Sequence, residues 1–413
     1  SILFTNIDRI STNEFKDSLK LMVHRGPDDE GVHTSGPIAL GHRRLSIIDR
    51  AGGHQPMSNE DGSLWISYNG EVYNYRELSN RLRPHHRFST RSDTEAIVHL
   101  YEELGPAAFT ELNGIFAFAL WDQKRRKLTL VRDRFGTKPL YYTQTADGTV
   151  LFASEVKAIL ATGLVRASCD LEGLAEHLTF HNTFGDKTLF AGIKMLEPGT
   201  YLTCTEGRIE HHQYWDLDYA QSEEESHPES YYVDALRDLF SKAVKRQLMS
   251  EVPVGGYLSG GLDSGSIVAV AARERRPFHT FTCGFDTSGV AEPERNFDER
   301  VEAELLAKTL DTQHHERHIY NGEMTRVLPK VVWHLEDFRV GISYQNYAIN
   351  ELISKYVTVV LSGVGGDELF AGYPWRYQPI MNKKMGSEFD RAYYDTWVRI
   401  LDDDQKSKLF SGE

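Results

Sequence analysis

The sequence predicts a two-domain protein, α+β in its first half and α/β with a parallel sheet in its second. Three observations carry this. Short strand-like runs recur up to about Trp215, a polar acidic stretch follows, and strands and helices alternate beyond Tyr231.

In the first half, Leu64-Trp65-Ile66-Ser67-Tyr68, Ile115 to Leu120, Leu128 to Val131 and Thr149 to Phe152 are apolar runs of strand length. Asn69-Gly70 and Asp147-Gly148 read as turns separating such runs. Between Asp93 and Leu104, the residues Ala96, Ile97, Leu100 and Tyr101 form one helical stripe. Gln221-Ser222-Glu223-Glu224-Glu225-Ser226-His227-Pro228 is acidic and closed by proline, and reads as a linker within 216–230.

In the second half, Val252 to Leu258 and His279 to Phe285 read as strands, and Ser264 to Arg273 as a short helix. Asp298 to Leu310 reads as a helix with Val301, Leu305 and Leu306 on one side. Tyr356 to Leu361 is a continuous apolar run, as in a strand covered on both faces. This order predicts a Rossmann-like parallel sheet.

The chain has 413 residues, 40% of them hydrophobic and 26% charged, in the range of globular domains. No run approaches the ~20 apolar residues of a membrane helix. The net charge of −14 argues against nucleic acid as the main partner, since phosphate backbones need a basic face, and no membrane partner is expected. Cys169, Cys204 and Cys283 lack zinc-ligand spacing and are odd in number, which suits a reducing compartment. The start lacks the basic flank of a signal peptide, so a cytoplasmic location is expected. His314-His315-Glu316-Arg317-His318 lacks the spacing of a metalloprotease helix and reads as a solvated strand entry.

Two of the second-half strands run into glycine-rich loops. Leu258 leads to Ser259-Gly260-Gly261-Leu262-Asp263-Ser264 at a helix start, and Leu361 leads to Ser362-Gly363-Val364-Gly365-Gly366-Asp367-Glu368. Glycine admits an anion to the backbone, and helix N–H groups and serine hydroxyls can donate to phosphate oxygens. Each loop offers an acid, Asp263 or Asp367, and two carboxylates beside a polyphosphate suit Mg²⁺. No Gly-Lys-Ser/Thr follows the glycines, which points to a held pyrophosphate leaving group rather than γ-phosphate transfer.

The first loop resembles the pyrophosphate loop of ATP pyrophosphatases. Together with Leu361 to Tyr373, it resembles the glutamine-hydrolysing asparagine synthetase family. That resemblance implies adenylation of a small carboxylic acid (aspartate or another) by ATP with Mg²⁺ on Asp263 and Asp367, then attack by ammonia. It also implies that Leu258, Cys283, Ser362 and Gly363 line the adenosine pocket.

The first half carries His24-Arg25-Gly26-Pro27-Asp28, Arg44-Leu45-Ser46-Ile47-Ile48-Asp49, Asn69-Gly70-Glu71 and Ser92-Asp93. These resemble the glutaminase domain of class II amidotransferases. The implied fold is an Ntn-hydrolase-type αββα sandwich over 1–215, followed by an ATP-pyrophosphatase domain over 231–413. Arg44 can fork onto the α-carboxylate of glutamine, and Glu71 and Asp93 can take its ammonium. The Asn69 side chain and the Gly70 N–H can form an oxyanion hole.

The resemblance places the nucleophile, an amino-terminal cysteine, immediately ahead of Ser1, and this chain carries no cysteine before Cys169. A missing or altered cysteine is the preferred reading over an inactive glutaminase, because the pocket residues are present. The family has glutamate where Val364 stands, and its β-lactam-forming relatives have tyrosine; an apolar residue there leaves the acid open. The chain ends at Glu413, and the expectation is a truncated second domain. The rival readings are an intramolecular amide-forming cyclase and a nucleotide-binding member without turnover. Family members are often dimers, so a homodimer is expected.

Overall fold

The computed structural model describes residues 2–4, 11–218, 227–286, 298–339 and 341–410. Ser1, Glu413 and most of the acidic linker lie outside the described residues. The chain divides into two units, one of Ser1–Leu174 with Thr183–Glu225 and one of Ala175–Asn182 with Ser226–Glu413.

The strands of the first unit are β1 (Ile2–Phe4), β2 (Asp29–Ser35), β3 (Ile38–Arg44), β4 (Met57–Ser58), β5 (Leu64–Val72), β6 (Gly114–Asp122), β7 (Lys127–Arg132), β8 (Tyr141–Gln144), β9 (Val150–Ala153), β10 (Lys194–Met195), β11 (Thr200–Thr205) and β12 (Arg208–Gln213). They form two six-stranded antiparallel sheets, ordered β10-β8-β9-β1-β3-β2 and β12-β11-β7-β6-β5-β4. Strand alternation explains the layers. Ile38, Leu40, Val150 and Phe152 of the first sheet bury against Ala117, Ala119, Leu128 and Leu130 of the second. The intervening Ala39, Leu151 and Ala153 face outward. They pack on Phe15 and Leu19 of helix α1 (Thr12–Lys20), and on Val156 and Ile159 after the turn at Glu155. On the second sheet, helix α2 (Tyr75–Leu82) packs beside helix α3 (Asp93–Leu104), and α3 lies against β5. Each buried large aliphatic side chain contributes about 1.5–3 kcal/mol, and the result is the expected helix–sheet–sheet–helix sandwich.

One turn signal is misread in sequence. Asn69-Gly70 runs straight through β5, pairing with Ala117 and Phe116 of β6. A Cβ on Gly70 would lie 2.2 Å from the Ile115 carbonyl oxygen, so glycine serves close strand approach there, not a turn. Asp147-Gly148 does turn, between β8 and β9.

The second unit holds β13 (Val254–Tyr257), β14 (His279–Phe285), β15 (Gln313–Ile319) and β16 (Val359–Leu361), all parallel, in the order β15-β14-β13-β16. Val268 and Ala271 of helix α4 (Leu262–Glu274), with Val244 and Leu248, cover one face around Val254 and Leu361. Ile349 and Ile353 cover the other face around Phe281. The run Tyr356 to Leu361 yields only a three-residue strand, β16, at an edge of the sheet among the described residues. Helix α5 (Arg300–Leu310) turns Ala303 and Ala307 inward and leaves Val301 73% and Leu305 67% exposed, against the expected face; only Leu306 of that trio joins the core. Ala175–Asn182, numbered within the first half, packs with the second unit instead: Arg399 N–H and Leu401 N–H donate to the Thr179 and Leu178 carbonyls at 2.7 and 2.8 Å.

Candidate active sites

The first site is built on β5. Ser67 Oγ donates to the Gly41 carbonyl of β3 at 3.2 Å, so Ser67 faces the opposing sheet, and Asn69 and Glu71 follow on that face. Gly41 also pairs with Ile2, which sets the start of β1 beside the β5 segment carrying Asn69. Asn69 Nδ2 and Glu71 Oε2 are both buried without a hydrogen-bond partner. Orphaned buried donors and acceptors are costly, and a ligand between these two can satisfy both.

The backbone of β5 adds a third group. Phe116 uses its own N–H and C=O on Asp133, so its pairing with Gly70 is a non-hydrogen-bonded one. The Gly70 N–H therefore points to the opposite edge, with those of Tyr68 and Val72. Tyr68 N–H donates to Gln55 Oε1 at 2.7 Å and Val72 N–H to Asp93 Oδ2 at 3.0 Å. The Gly70 N–H lies between them, outside the strand ladder.

Asp93 is buried at the first turn of α3 and also accepts from Tyr68 O–H at 2.7 Å. Burial, then the charge of Asp93, pushes the Glu71 carboxyl well up; Lys138 and Arg44 oppose this. Burial also raises Asp93, against its donors Tyr68 and Val72. With more donors, Asp93 is the one that keeps its charge, and Glu71 holds the proton when the pocket is empty.

Arg44 ends β3 and is buried, donating to the carbonyls of Ile48 at 2.9 Å, Asp49 at 2.8 Å and Arg50 at 3.2 Å. Much of its fork is thus spent on holding the loop that contains Leu45, Ser46, Ile47 and Ile48. Leu45 is exposed, Ile48 is buried, and Ser46 N–H donates to Asp28 Oδ2 at 2.8 Å. Tyr68, Gln55 and Lys138 are participants that sequence reasoning missed, since none has a spacing signal.

The His24 to Asp28 segment is tied down by Glu155, which is buried and accepts from Lys157 at 2.6 Å, His24 at 2.8 Å and Arg25 at 3.1 Å. Burial alone would raise its pKa, but these donors and charges bring it down to about 2. A lowered carboxyl adds stability that is present above its ordinary range and lost as pH falls toward 2. Glu155→Gln is expected to cost about 3–5 kcal/mol at neutral pH. In denaturant melts the gap to the parent protein should narrow as pH falls; a gap independent of pH would exclude this network as its source.

The second site lies at the C-terminal ends of β13 and β16. From β13 the chain runs to β14 and β15 on one side and then returns to β16 on the other, so the crevice between β13 and β16 is a topological switch point. Both glycine loops emerge there. Ser259 Oγ meets Ser264 Oγ at 2.8 Å, and the N–H groups of Ser259 and Gly261 donate to Ser264 Oγ at 3.0 Å and Ser259 Oγ at 3.1 Å. This closes a tight loop over Gly260 and Gly261, with Leu262 exposed and Asp263 on the first turn of α4. The second loop lies against it: a Cβ on Gly363 would sit 2.9 Å from Ser264 N, and one on Gly366 2.4 Å from the Asp263 carboxylate. Asp367 follows Gly366 on helix α6 (Gly366–Phe370). Leu258 is buried, its N–H donating to the Phe281 carbonyl at 2.9 Å. Burial pushes the half-buried Cys283 thiol on β14 up to about 11, so it stays protonated. Ser362 is exposed, and Val364 is 85% exposed. Two carboxylates on abutting loops, beside hydroxyls and helix N–H groups, form a hard oxygen donor set of the kind Mg²⁺ takes together with phosphate.

An antiparallel αββα sandwich with its first strand inside a sheet, and a parallel-sheet unit with glycine loops at the switch point, define an Ntn-type amidotransferase fold and a nucleotide-site fold in one chain. A glutamine amidotransferase domain model matches residues 2–215, and an asparagine synthase model matches residues 235–411. Glutamine-hydrolysing asparagine synthetase 1 of Bacillus subtilis is 37% identical over 369 residues, covering 88% of this chain and 56% of the relative. Synthetase 3 of the same organism is 36% identical, covering 93% of this chain and 64% of the relative. A Methanocaldococcus jannaschii relative, designated putative asparagine synthetase (glutamine-hydrolysing) 2, is 34% identical, covering 86% of this chain and 71% of the relative. The chain belongs to the glutamine-hydrolysing asparagine synthetase family. It spans 56% and 64% of the two Bacillus subtilis relatives. No helix among the described residues is long and apolar enough to cross a membrane.

Proposed function

We propose that the protein makes asparagine from aspartate, using ATP and nitrogen from glutamine. The observation that carries this reading is the abutment of the two acid-bearing glycine loops at the switch point, Gly366 against the Asp263 carboxylate. The aspartate side-chain carboxylate attacks the α-phosphorus of ATP, and the bond to the β-phosphate oxygen breaks, releasing pyrophosphate. Ser259 to Ser264 hold the departing phosphates by hydroxyl and helix N–H donors. Asp263 and Asp367 would hold Mg²⁺, which when bound neutralises charge on the leaving group. Ammonia then displaces AMP from the acyl-adenylate and loses a proton.

Ammonia comes from glutamine in the first unit. The proposed cysteine ahead of Ser1 attacks the side-chain amide, with Asn69 Nδ2 and the Gly70 N–H stabilising the oxyanion and Glu71 and Asp93 holding the α-ammonium. The C–N bond then breaks, the thiol proton passing to the departing ammonia, and water hydrolyses the thioester to glutamate and free thiol. Arg44 turns its remaining N–H groups to the carboxylate. Leu258, Cys283, Ser362 and Gly363 border the adenosine. A cytoplasmic homodimer is the assembly proposed.

The test is pyrophosphate release across a panel of small carboxylic acids, with ammonia or glutamine as nitrogen source. Aspartate is expected to give pyrophosphate and asparagine in equal amounts. Release with a different acid alone would replace aspartate, and release with none would end the synthetase reading. Mass spectrometry of the natural amino terminus checks the cysteine.

A further inference from the structure

Glu60, in the turn before β5, His86, after α2, and His99 and Glu102 of α3 converge within the first unit. One ligand atom from each lies within 4.8 Å of the others. We propose that these four side chains bind one divalent transition-metal ion of the zinc class, and that the ion fastens the loops at Glu60 and His86 to α3.

The ring orientation is the first argument. Both histidines turn Nδ1 toward the same two carboxylates: His86 Nδ1 is 3.3 Å from Glu60 Oε1, His99 Nδ1 is 3.4 Å from Glu60 Oε2, and each is 3.8 Å from Glu102 Oε2. Direct charged hydrogen bonds would close to about 2.7–2.9 Å. Ligands around a tetrahedral zinc, each about 2.0–2.1 Å from the ion, stand about 3.3 Å apart. The observed spacing is nearer the second value.

Burial is the second argument. The His99 side chain is 1% exposed, and neither of its ring nitrogens has a hydrogen-bond partner. A buried imidazole whose nearest acceptors stand at 3.4–3.8 Å is under-satisfied, and coordination would satisfy it. The third argument is the outer ring of acids. His86 Nε2 faces Glu103 at 3.3 Å and His99 Nε2 faces Glu95 at 3.7 Å, the carboxylate–histidine–metal arrangement that fixes the tautomer and strengthens the ligand. Glu95 is itself held by the N–H groups of Ser89 and Thr90, each at 2.7 Å. Two imidazoles favour zinc over Mg²⁺ or Ca²⁺, and four protein ligands leave no open position for chemistry, so the site is structural.

Chelator-stripped protein is titrated with zinc chloride by calorimetry, and separately with Co²⁺ in the visible range. The expected result is one saturating ion per chain, the intense absorption of tetrahedral Co²⁺, and a higher melting temperature. His86→Ala removes a largely buried ring and Glu102→Gln alters a partly exposed carboxylate, and melting of the metal-free variants checks that each stays folded. Each is expected to weaken binding at least 100-fold. Binding unchanged in both variants would move the ion to another histidine cluster and overturn the proposal. So would the absence of saturable binding, or an octahedral Co²⁺ spectrum.

Discussion

Replacing Asp263 by alanine is expected to lower ATP-dependent pyrophosphate release about 10²–10³-fold, the scale for removing one preorganised electrostatic group from a transition state. Asp263 stands on the first turn of α4, and Gly366 lies so close that a Cβ there would meet its carboxylate at 2.4 Å. A carboxylate at a helix N-terminus beside polyphosphate would repel it, so its use there requires a cation between them. The loss should therefore fall on kcat more than on the KM for ATP, because charge builds on the leaving phosphates in the transition state. Glutamine binding should be unchanged, since that pocket is built on β5. Asp263→Ala protein that keeps its melting temperature and full pyrophosphate release would remove Asp263 from the chemistry. Loss of glutamine binding as well would contradict separate sites.

Glu71→Gln is expected to raise the KM for glutamine about 100-fold, or ~3 kcal/mol, by removing a buried charged acceptor of the ammonium. The same pair gives a pH signature. In the empty pocket burial and the Asp93 charge hold the Glu71 carboxyl raised, so the folded state carries a proton the unfolded chain has lost. Its stabilising effect is complete below the ordinary carboxylate range and declines as pH rises through the raised value. An arriving ammonium reverses the preference and expels the proton. Calorimetry in buffers of different ionisation enthalpy should then show up to about one proton released per glutamine at neutral pH. Glu71→Gln should release none. Equal release by parent and variant would place the titrating group elsewhere.

Much of this was legible in the sequence because the signals were local. Asp93 to Leu104 formed the helix its stripe predicted, and His279 to Phe285 the strand. The two glycine loops were found because each sits next to an apolar run, and strand ends are where parallel sheets bind ligands. The misreadings came from non-local packing. Asn69-Gly70 has turn chemistry, yet pairing with Ala117 and Phe116 keeps it extended. Val301 and Leu305 fit an apolar stripe, but the sheet accepts the small Ala303 and Ala307. The loop partners of Arg44 at Ile48 to Arg50 were not legible either, because they appear only when the loop folds back, and they leave its substrate role a proposal. The histidine–carboxylate cluster draws on a turn, a loop and a helix, so no motif spacing could reveal it.

The path of β5 also works as a ruler. Asn69 and Glu71 are two residues apart on one face, so their side chains leave the strand about 6.8 Å from each other. The ladder with β6 fixes that interval, and neither group can slide toward the other without breaking the register. Under the proposed glutamine reading, the substrate carries its amide and its ammonium at a separation this interval favours. Asparagine, one methylene shorter, is then expected to bind more weakly than glutamine.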